Sequence, residues 1–241
     1  MENKLFMLET DKVDRSFFGN KMLHPWIISF NPTTHLVSLF RNASTSANIF
    51  FQNAYGIERI PFYEFQPVET NTTFIIILRD PIERFKSAIA RPSETGIVRS
   101  LREEEVSYLL VNDSHFMPQI NFIPMDIETK KRIHSSLLKK QRKTKYWSKY
   151  ASGKTIYEEM QKSKNKYVFF KLKRNNDVVS DIVNFLNGTD TQKAAAKKLK
   201  NYNASTPNKD FNSLDPTLKK MIFDYYEQDL EFYNNVSFYN D

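Results

Sequence analysis

Two short segments of this 241-residue chain have the make-up of anion sites. In the first, Arg41-Asn42-Ala43-Ser44-Thr45-Ser46 follows the apolar run His35–Phe40 and leads into Ala47, Phe50, Phe51 and Ala54, which repeat at helical spacing. A strand that turns at once into a helix leaves free backbone N–H groups, and the positive end of the helix dipole, at the junction. Three successive hydroxyl residues add side-chain donors there, and Arg41 adds a full positive charge. The plainer alternative makes Ser44 or Thr45 a simple N-cap. In the second segment, Arg79 ends the apolar run Phe74–Leu78, and Ser87 follows two turns into a helix that opens at Asp80-Pro81. An Arg and a Ser converging beside a helix suit a phosphate monoester, because the guanidinium offers a fork of charged donors. Here the plainer alternative is a surface Arg79–Asp80 pair with a solvated Ser87. Two such junctions on adjacent parallel strands are a stronger signal than either alone.

The elements that must position these residues are readable from periodicity. His35–Phe40, Phe74–Leu78 and Tyr167–Leu172 read as strands, and Phe74–Leu78 is apolar throughout, as in a strand covered on both faces. Asp80 and Pro81 fit the N-cap and first position of a helix whose inner stripe is Ile82, Phe85 and Ile89. Val179, Ile182, Val183 and Leu186 share one face of a helix that Gly188 is placed to end. Ser100 and Glu103 fit a capping box ahead of Val106, Leu109 and Leu110. Asp215-Pro216 opens a long last helix with Leu218, Ile222, Tyr225 and Phe232 inward, and Asp229 on the same side facing an internal arginine or hydroxyl. Strand–helix alternation with near-continuous apolar strands predicts one α/β domain over residues 1–241, three layers α/β/α around a central parallel sheet.

Composition narrows the classes of function. The chain has no cysteine, which excludes disulfide scaffolds, cysteine zinc sites and cysteine nucleophiles. Its 5 glycines leave almost no material for a glycine-rich phosphate loop. The 35 basic against 28 acidic residues, a net charge of +7, favour an anionic partner. The first residues carry early acidic groups and no long apolar run, and no segment reaches the length of a bilayer span. A cytoplasmic protein is therefore expected. Asn-x-Ser/Thr triplets at Asn42, Asn71, Asn112, Asn187, Asn203 and Asn235 are then better explained by an Asn-rich composition than by glycosylation.

With these residues in place, the chain resembles the sulfotransferases that use 3′-phosphoadenosine 5′-phosphosulfate (PAPS). Arg41–Ser46 is similar to their 5′-phosphosulfate loop, and Leu78–Ser87 closely resembles their 3′-phosphate motif. His115-Phe116-Met117-Pro118-Gln119 is similar to the His-Trp-x-Pro-Gln segment of the carbohydrate sulfotransferases of the chondroitin and dermatan type. Tyr167–Leu186 and Tyr226–Tyr233 resemble the late strand–helix and closing helix of that group, so the likeness runs from about residue 35 to residue 235. The resemblance implies a P-loop nucleotide-kinase-like fold and sulfuryl transfer to an acceptor hydroxyl, carbohydrate or small metabolite, without a metal. It implies that Arg41, Asn42, Ala43, Ser44, Thr45 and Ser46 hold the 5′-phosphosulfate and that Arg79 and Ser87 hold the 3′-phosphate. It puts Ser205 and Lys209, in the polar loop before the last helix, near the nucleotide, although an ordinary connecting loop is the plainer reading. Arg41 stands where the family has lysine, and Phe40 where it has proline. Arginine keeps the charge but is planar and bulkier, so binding with weakened turnover is the alternative function.

For the catalytic base, histidine is the side chain type best suited to proton transfer at neutral pH, and His115 lies in a matched motif. A histidine that orients its loop is the alternative, and a family glutamate after the first helix would correspond to Glu58 or Glu64. His24, His35 and His134 read as structural. Gly153-Lys154-Thr155 has the look of a kinase P-loop, and an ATP-dependent phosphotransferase is the lesser alternative. That motif needs glycine where Ser148 stands, and Thr155 with Glu158 reads more simply as a capping box. Ten basic and no acidic residues lie between Lys130 and Lys154, either a solvated face or an attractor of an acidic acceptor. Tyr146, Trp147 and Tyr150 are interleaved there, yet no nucleic-acid motif accompanies them. Relatives in the resembled group are usually membrane-anchored in a secretory lumen. An anchorless, cysteine-free chain suits a bacterial or viral source instead.

Overall fold

The computed structural model describes residues 25–39, 42–62, 65, 71–89, 103–112, 115–140, 151–172, 177–199 and 211–241. Its first element is a hairpin. Strand β1 (Trp26–Asn31) and strand β2 (Thr34–Ser38) pair antiparallel across Pro32-Thr33. Asn31 shapes the turn, its Oδ1 accepting from the Thr33 amide at 2.9 Å, the usual Asx device. Strand β3 (Arg59–Pro61) adds antiparallel to β1. Strands β4 (Thr73–Leu78) and β5 (Lys166–Lys171) extend the other side, each parallel to its neighbour. The order is β3-β1-β2-β4-β5. The sheet is therefore mixed: the expected parallel strands β2, β4 and β5 form its centre and one flank, with an antiparallel pair added outside β2. The β1–β2 connection allows this, since a two-residue turn can only reverse the chain.

Alternation along the strands divides the core. Val37, Phe74, Ile76 and Phe169 point to one face, where Ile156 and Met160 of helix α5 (Gly153–Gln161) and Phe232 of helix α8 (Pro216–Asn235) cover them. Leu36, Ile75, Ile77, Val168 and Phe170 point to the other. There they meet helix α1 (Ser44–Tyr55), helix α6 (Asp177–Phe185) and helix α7 (Asp190–Lys197). Helices on both faces make the three layers. Helix α2 (Pro81–Ile89), helix α3 (Glu103–Asn112) and α8 enclose a further cluster around Phe85, Leu109, Phe116, Ile222 and Tyr226. Helix α4 (Ile127–Lys140) packs beside α5, with Arg132 Nε donating to Glu159 Oε2 at 2.8 Å. Every helix that follows a central strand starts from the carboxyl ends of the strands, so the two junctions share one edge of the sheet.

Candidate anion-binding site

At the first junction the N-cap of α1 is Ala43, in the left-handed region at φ 59° and ψ 18°. An alanine has no side chain to offer, so the hydroxyl cap open to Ser44 or Thr45 is not how this helix begins. Among the described residues no N-cap side chain bonds to the amides of its first turn. Ser44 is half-buried, Thr45 exposed and Ser46 buried. The Asn42 side chain has another use. Both of its amide hydrogens are engaged, one by the Ile77 carbonyl at 2.8 Å and one by Gln119 Oε1, and its backbone N–H donates to the Leu39 carbonyl at 3.3 Å. Asn42 shapes the loop, and the sequence-expected donors beyond it are Ser44, Thr45 and Ser46, of which Ser46 is buried. Its complete burial also removes the first glycosylation triplet from consideration.

The second junction is built the opposite way. Asp80 Oδ1 accepts from the amides of Ile82 and Glu83, both at 2.9 Å, and so caps α2 as its sequence position predicts. The tip of α2 is thereby closed by the protein's own carboxylate. What this junction presents is side chains: Arg79, which is half-buried, and Ser87 on the flank of α2, also half-buried. Burial lowers the Arg79 guanidinium from its usual pKa, with Glu83 and Asp80 acting in the opposite sense and Arg84 adding to the fall.

Gln119 joins the two junctions. Its Oε1 accepts from Asn42 Nδ2 and from the Arg79 amide at 3.0 Å. Its Nε2 donates to the Arg79 carbonyl at 2.8 Å and to Asp229 Oδ2 at 3.2 Å. That saturates the donors and acceptors of the side-chain amide. Asp229, fully buried on α8, also accepts from the Ile120 amide at 3.1 Å. Desolvation raises its carboxyl above the usual carboxylate range, against the lowering pull of the Gln119 and Ile120 donors and of the Arg84 guanidinium. Arg84 is itself buried and donates to the Met117 carbonyl at 2.6 Å, and Tyr226 donates to the Phe116 carbonyl. The segment His115–Gln119 is thus stitched to α2, to α8 and to both loops. Its role as a lock was not legible in the sequence, since its partners on α2, α8 and the Arg79 loop lie 33 to 110 residues away. The sequence put Asp229 inward, facing an arginine or hydroxyl; its hydrogen bonds go to Gln119 and the Ile120 amide, and Arg84 acts on it through its charge.

His115 sits half-buried in the turn that opens this segment, four positions before Gln119. Glu58 is elsewhere: it is exposed and precedes β3, beyond the far end of α1 and two strands from β2. Twelve helical residues carry the chain about 18 Å from the junction before Glu58 is reached. His35 lies inside β2, its Nδ1 2.8 Å from Ser29 Oγ and its ring packed on Phe65 and Phe74; burial lowers its pKa. His134 is exposed on α4. Arg41, Glu64, Ser205 and Lys209 lie outside the described residues, as do His24, Ser100, Phe40, Tyr146, Trp147 and Tyr150.

The P-loop look-alike has a packing explanation. A Cβ at Gly153 would fall on the Gln228 carbonyl and the Phe232 amide of α8, so only glycine lets α5 approach so closely. Its amide donates to Glu231 Oε2 at 3.0 Å, and Ser152, not Thr155, caps the helix, accepting from the Thr155 amide at 3.2 Å. An acidic side chain already occupies this helix start. Within the basic stretch, Lys131 pairs with Glu128 at 2.9 Å and Arg132 with Glu159, so part of that charge is neutralised from outside the stretch. Among the described residues no helix is long and apolar enough to cross a membrane. No protein-family model, curated protein or solved structure matches the chain.

Proposed function

We propose that this protein is a sulfotransferase of the PAPS-dependent kind, moving a sulfuryl group to an acceptor hydroxyl on a carbohydrate or small metabolite. One observation carries the reading: two unlike strand–helix junctions on neighbouring parallel strands, each with donors suited to an anion, are joined through the buried Gln119 side chain. The open first turn of α1 offers backbone donors to one anionic group, and Arg79 with Ser87 offers side-chain donors to another. A nucleotide with phosphate groups at two corners of its ribose fits that division of labour better than a triphosphate does. The donor set also suits PAPS, which would supply the activated sulfuryl group. Ser44, Thr45 and Ser46 would hold its 5′ end, with Arg41 countering the charge that builds on the leaving oxygen. Arg79 and Ser87 would hold the 3′-phosphate, and His115 would take the acceptor's proton. Oriented amides and one cation can stabilise a sulfuryl transfer, whose charge is lower than that of a phosphoryl transfer. Arginine at position 41 favours a second reading, a nucleotide- or glycan-binding protein that turns over slowly or not at all.

Calorimetric titration with adenosine 3′,5′-bisphosphate in EDTA, with Mg-ATP in parallel, tests the proposal. Metal-free binding of the bisphosphate is expected, and Arg79→Ala should weaken it far more than it weakens adenosine 5′-phosphate. Binding of Mg-ATP alone would favour the phosphotransferase. Equal losses for both ligands would sink the 3′-phosphate assignment. Turnover with PAPS then separates enzyme from binding protein.

A further inference from the structure

We infer that Gln119 is a positioning residue that sets the separation of the two anion-binding junctions, and so selects ligands anionic at both ends over ligands anionic at one. The inference rests on the nucleotide reading above and adds to it the origin of the selectivity. Neither loop is fixed by its own residues alone. The chain at Asn42 leaves β2 through a left-handed alanine, and the chain at Arg79 leaves β4 just before a proline-led helix. Asn42 reaches β4 itself through the Ile77 carbonyl, but the Arg79 peptide is held from the other side, its amide and its carbonyl both bonded to Gln119. The same Gln119 oxygen that receives the Arg79 amide receives Asn42 Nδ2, so one atom is common to both loops. Gln119 cannot drift, because Asp229 of α8 holds its Nε2 and the adjoining Ile120 amide. Only 1% of Gln119 is exposed, so water does not compete for these bonds.

A ligand with two anionic ends gains from that rigidity and a ligand with one does not. Once the first end is bound, the second meets its site at an effective concentration fixed by how well the span matches. Loosening the clamp widens the range of spans and removes that advantage, while each site keeps its own donors.

The test is titration of the unchanged protein and of Gln119→Met with adenosine 3′,5′-bisphosphate, adenosine 5′-phosphate and adenosine 3′-phosphate. Methionine keeps the length and bulk of the side chain and deletes its hydrogen bonds. Bisphosphate affinity should fall about tenfold or more, with the two monophosphates within about twofold of the unchanged protein. Asp229→Asn, which leaves one acceptor oxygen for the two donors Asp229 serves and so loosens the far end of Gln119 without touching either loop, should act in the same direction with a smaller effect. It carries the test if Gln119→Met does not fold, as judged by thermal melting. Equal weakening of all three ligands, or of none, overturns the inference and leaves the nucleotide reading standing. Failure of the unchanged protein to bind the bisphosphate overturns that reading, and the inference with it.

Discussion

At the scale of single residues, the left-handed Ala43 is the position where local backbone preference and the fold disagree. A non-glycine residue at φ 59° costs about 1–2 kcal/mol relative to a relaxed backbone. The conformation persists because Asn42 before it is bonded to Ile77 and Gln119, and the helix after it is packed on the sheet. The turn must also bring the first amides of α1 to the sheet edge, and a side-chain cap would close them. Ala43→Gly should therefore raise stability by about 0.5–1 kcal/mol, the relieved strain exceeding the extra freedom of the unfolded chain. Ala43→Val should lower it by more than that, since a β-branched residue is least able to adopt this region. Urea denaturation of the two variants decides the matter. Equal stabilities would mean that the backbone relaxes at no cost.

At the scale of elements, the long apolar runs and the helix starts were legible in the sequence. The strands over His35–Phe40, Phe74–Leu78 and Tyr167–Leu172 are found within a residue or two of their expected limits. Asp80 and Asp215 cap the helices expected of them, Asp215 Oδ1 accepting from the Thr217 amide at 2.7 Å. These features depend on neighbours in sequence, which is why they can be read there. What could not be read depends on distant contacts. β1 carries the same apolar character as β2, and the Asn31-Pro32 turn between them is the signal of a hairpin, but its placement outside β2 depends on the whole sheet. Gly153 illustrates the same limit: its neighbours in sequence imitate a phosphate loop, while its cause lies on α8. Gly153→Ala should accordingly cost at least about 2 kcal/mol, because rigid backbone rather than a movable side chain meets the new methyl group. Gly56→Ala, where a Cβ meets nothing but the φ of 65° is unfavourable, should cost about 1 kcal/mol. Melting temperatures of the pair rank the two effects; the reverse order would mean that α5 can slide along α8.

At the scale of the molecule, the five strands of the described residues form an open sheet with two edges to protect, and the chain treats them differently. β3 is three residues long and ends in Pro61, which lacks the amide that pairing would need. The Arg59 guanidinium lies 4.2 Å over the Trp26 ring beside it, keeping charge on that edge. The β5 edge is longer and more apolar, and the residues after α8 fold back to cover it. Phe238 bridges to Phe169, the Tyr239 amide donates to the Phe169 carbonyl at 2.8 Å, and the Tyr239 ring packs on Phe170 and Phe185. Asn240 then imitates one more strand residue. Its Oδ1 accepts from the Lys171 amide at 2.9 Å, and its Nδ2 donates to the Lys171 carbonyl at 3.2 Å and to Asp181 Oδ2 at 2.8 Å. The residues that hold the proposed nucleotide follow β2 and β4, so the strip guards the sheet without touching the site. Asn240→Ala should lower stability by about 1–3 kcal/mol by leaving the Lys171 peptide unpaired. Hydrogen exchange at the Lys171 amide should accelerate, and sedimentation velocity should show self-association that grows with concentration, while nucleotide affinity stays unchanged. If the Lys171 amide remains as protected as before, Asn240 is a passenger and Phe238 and Tyr239 seal the edge without it.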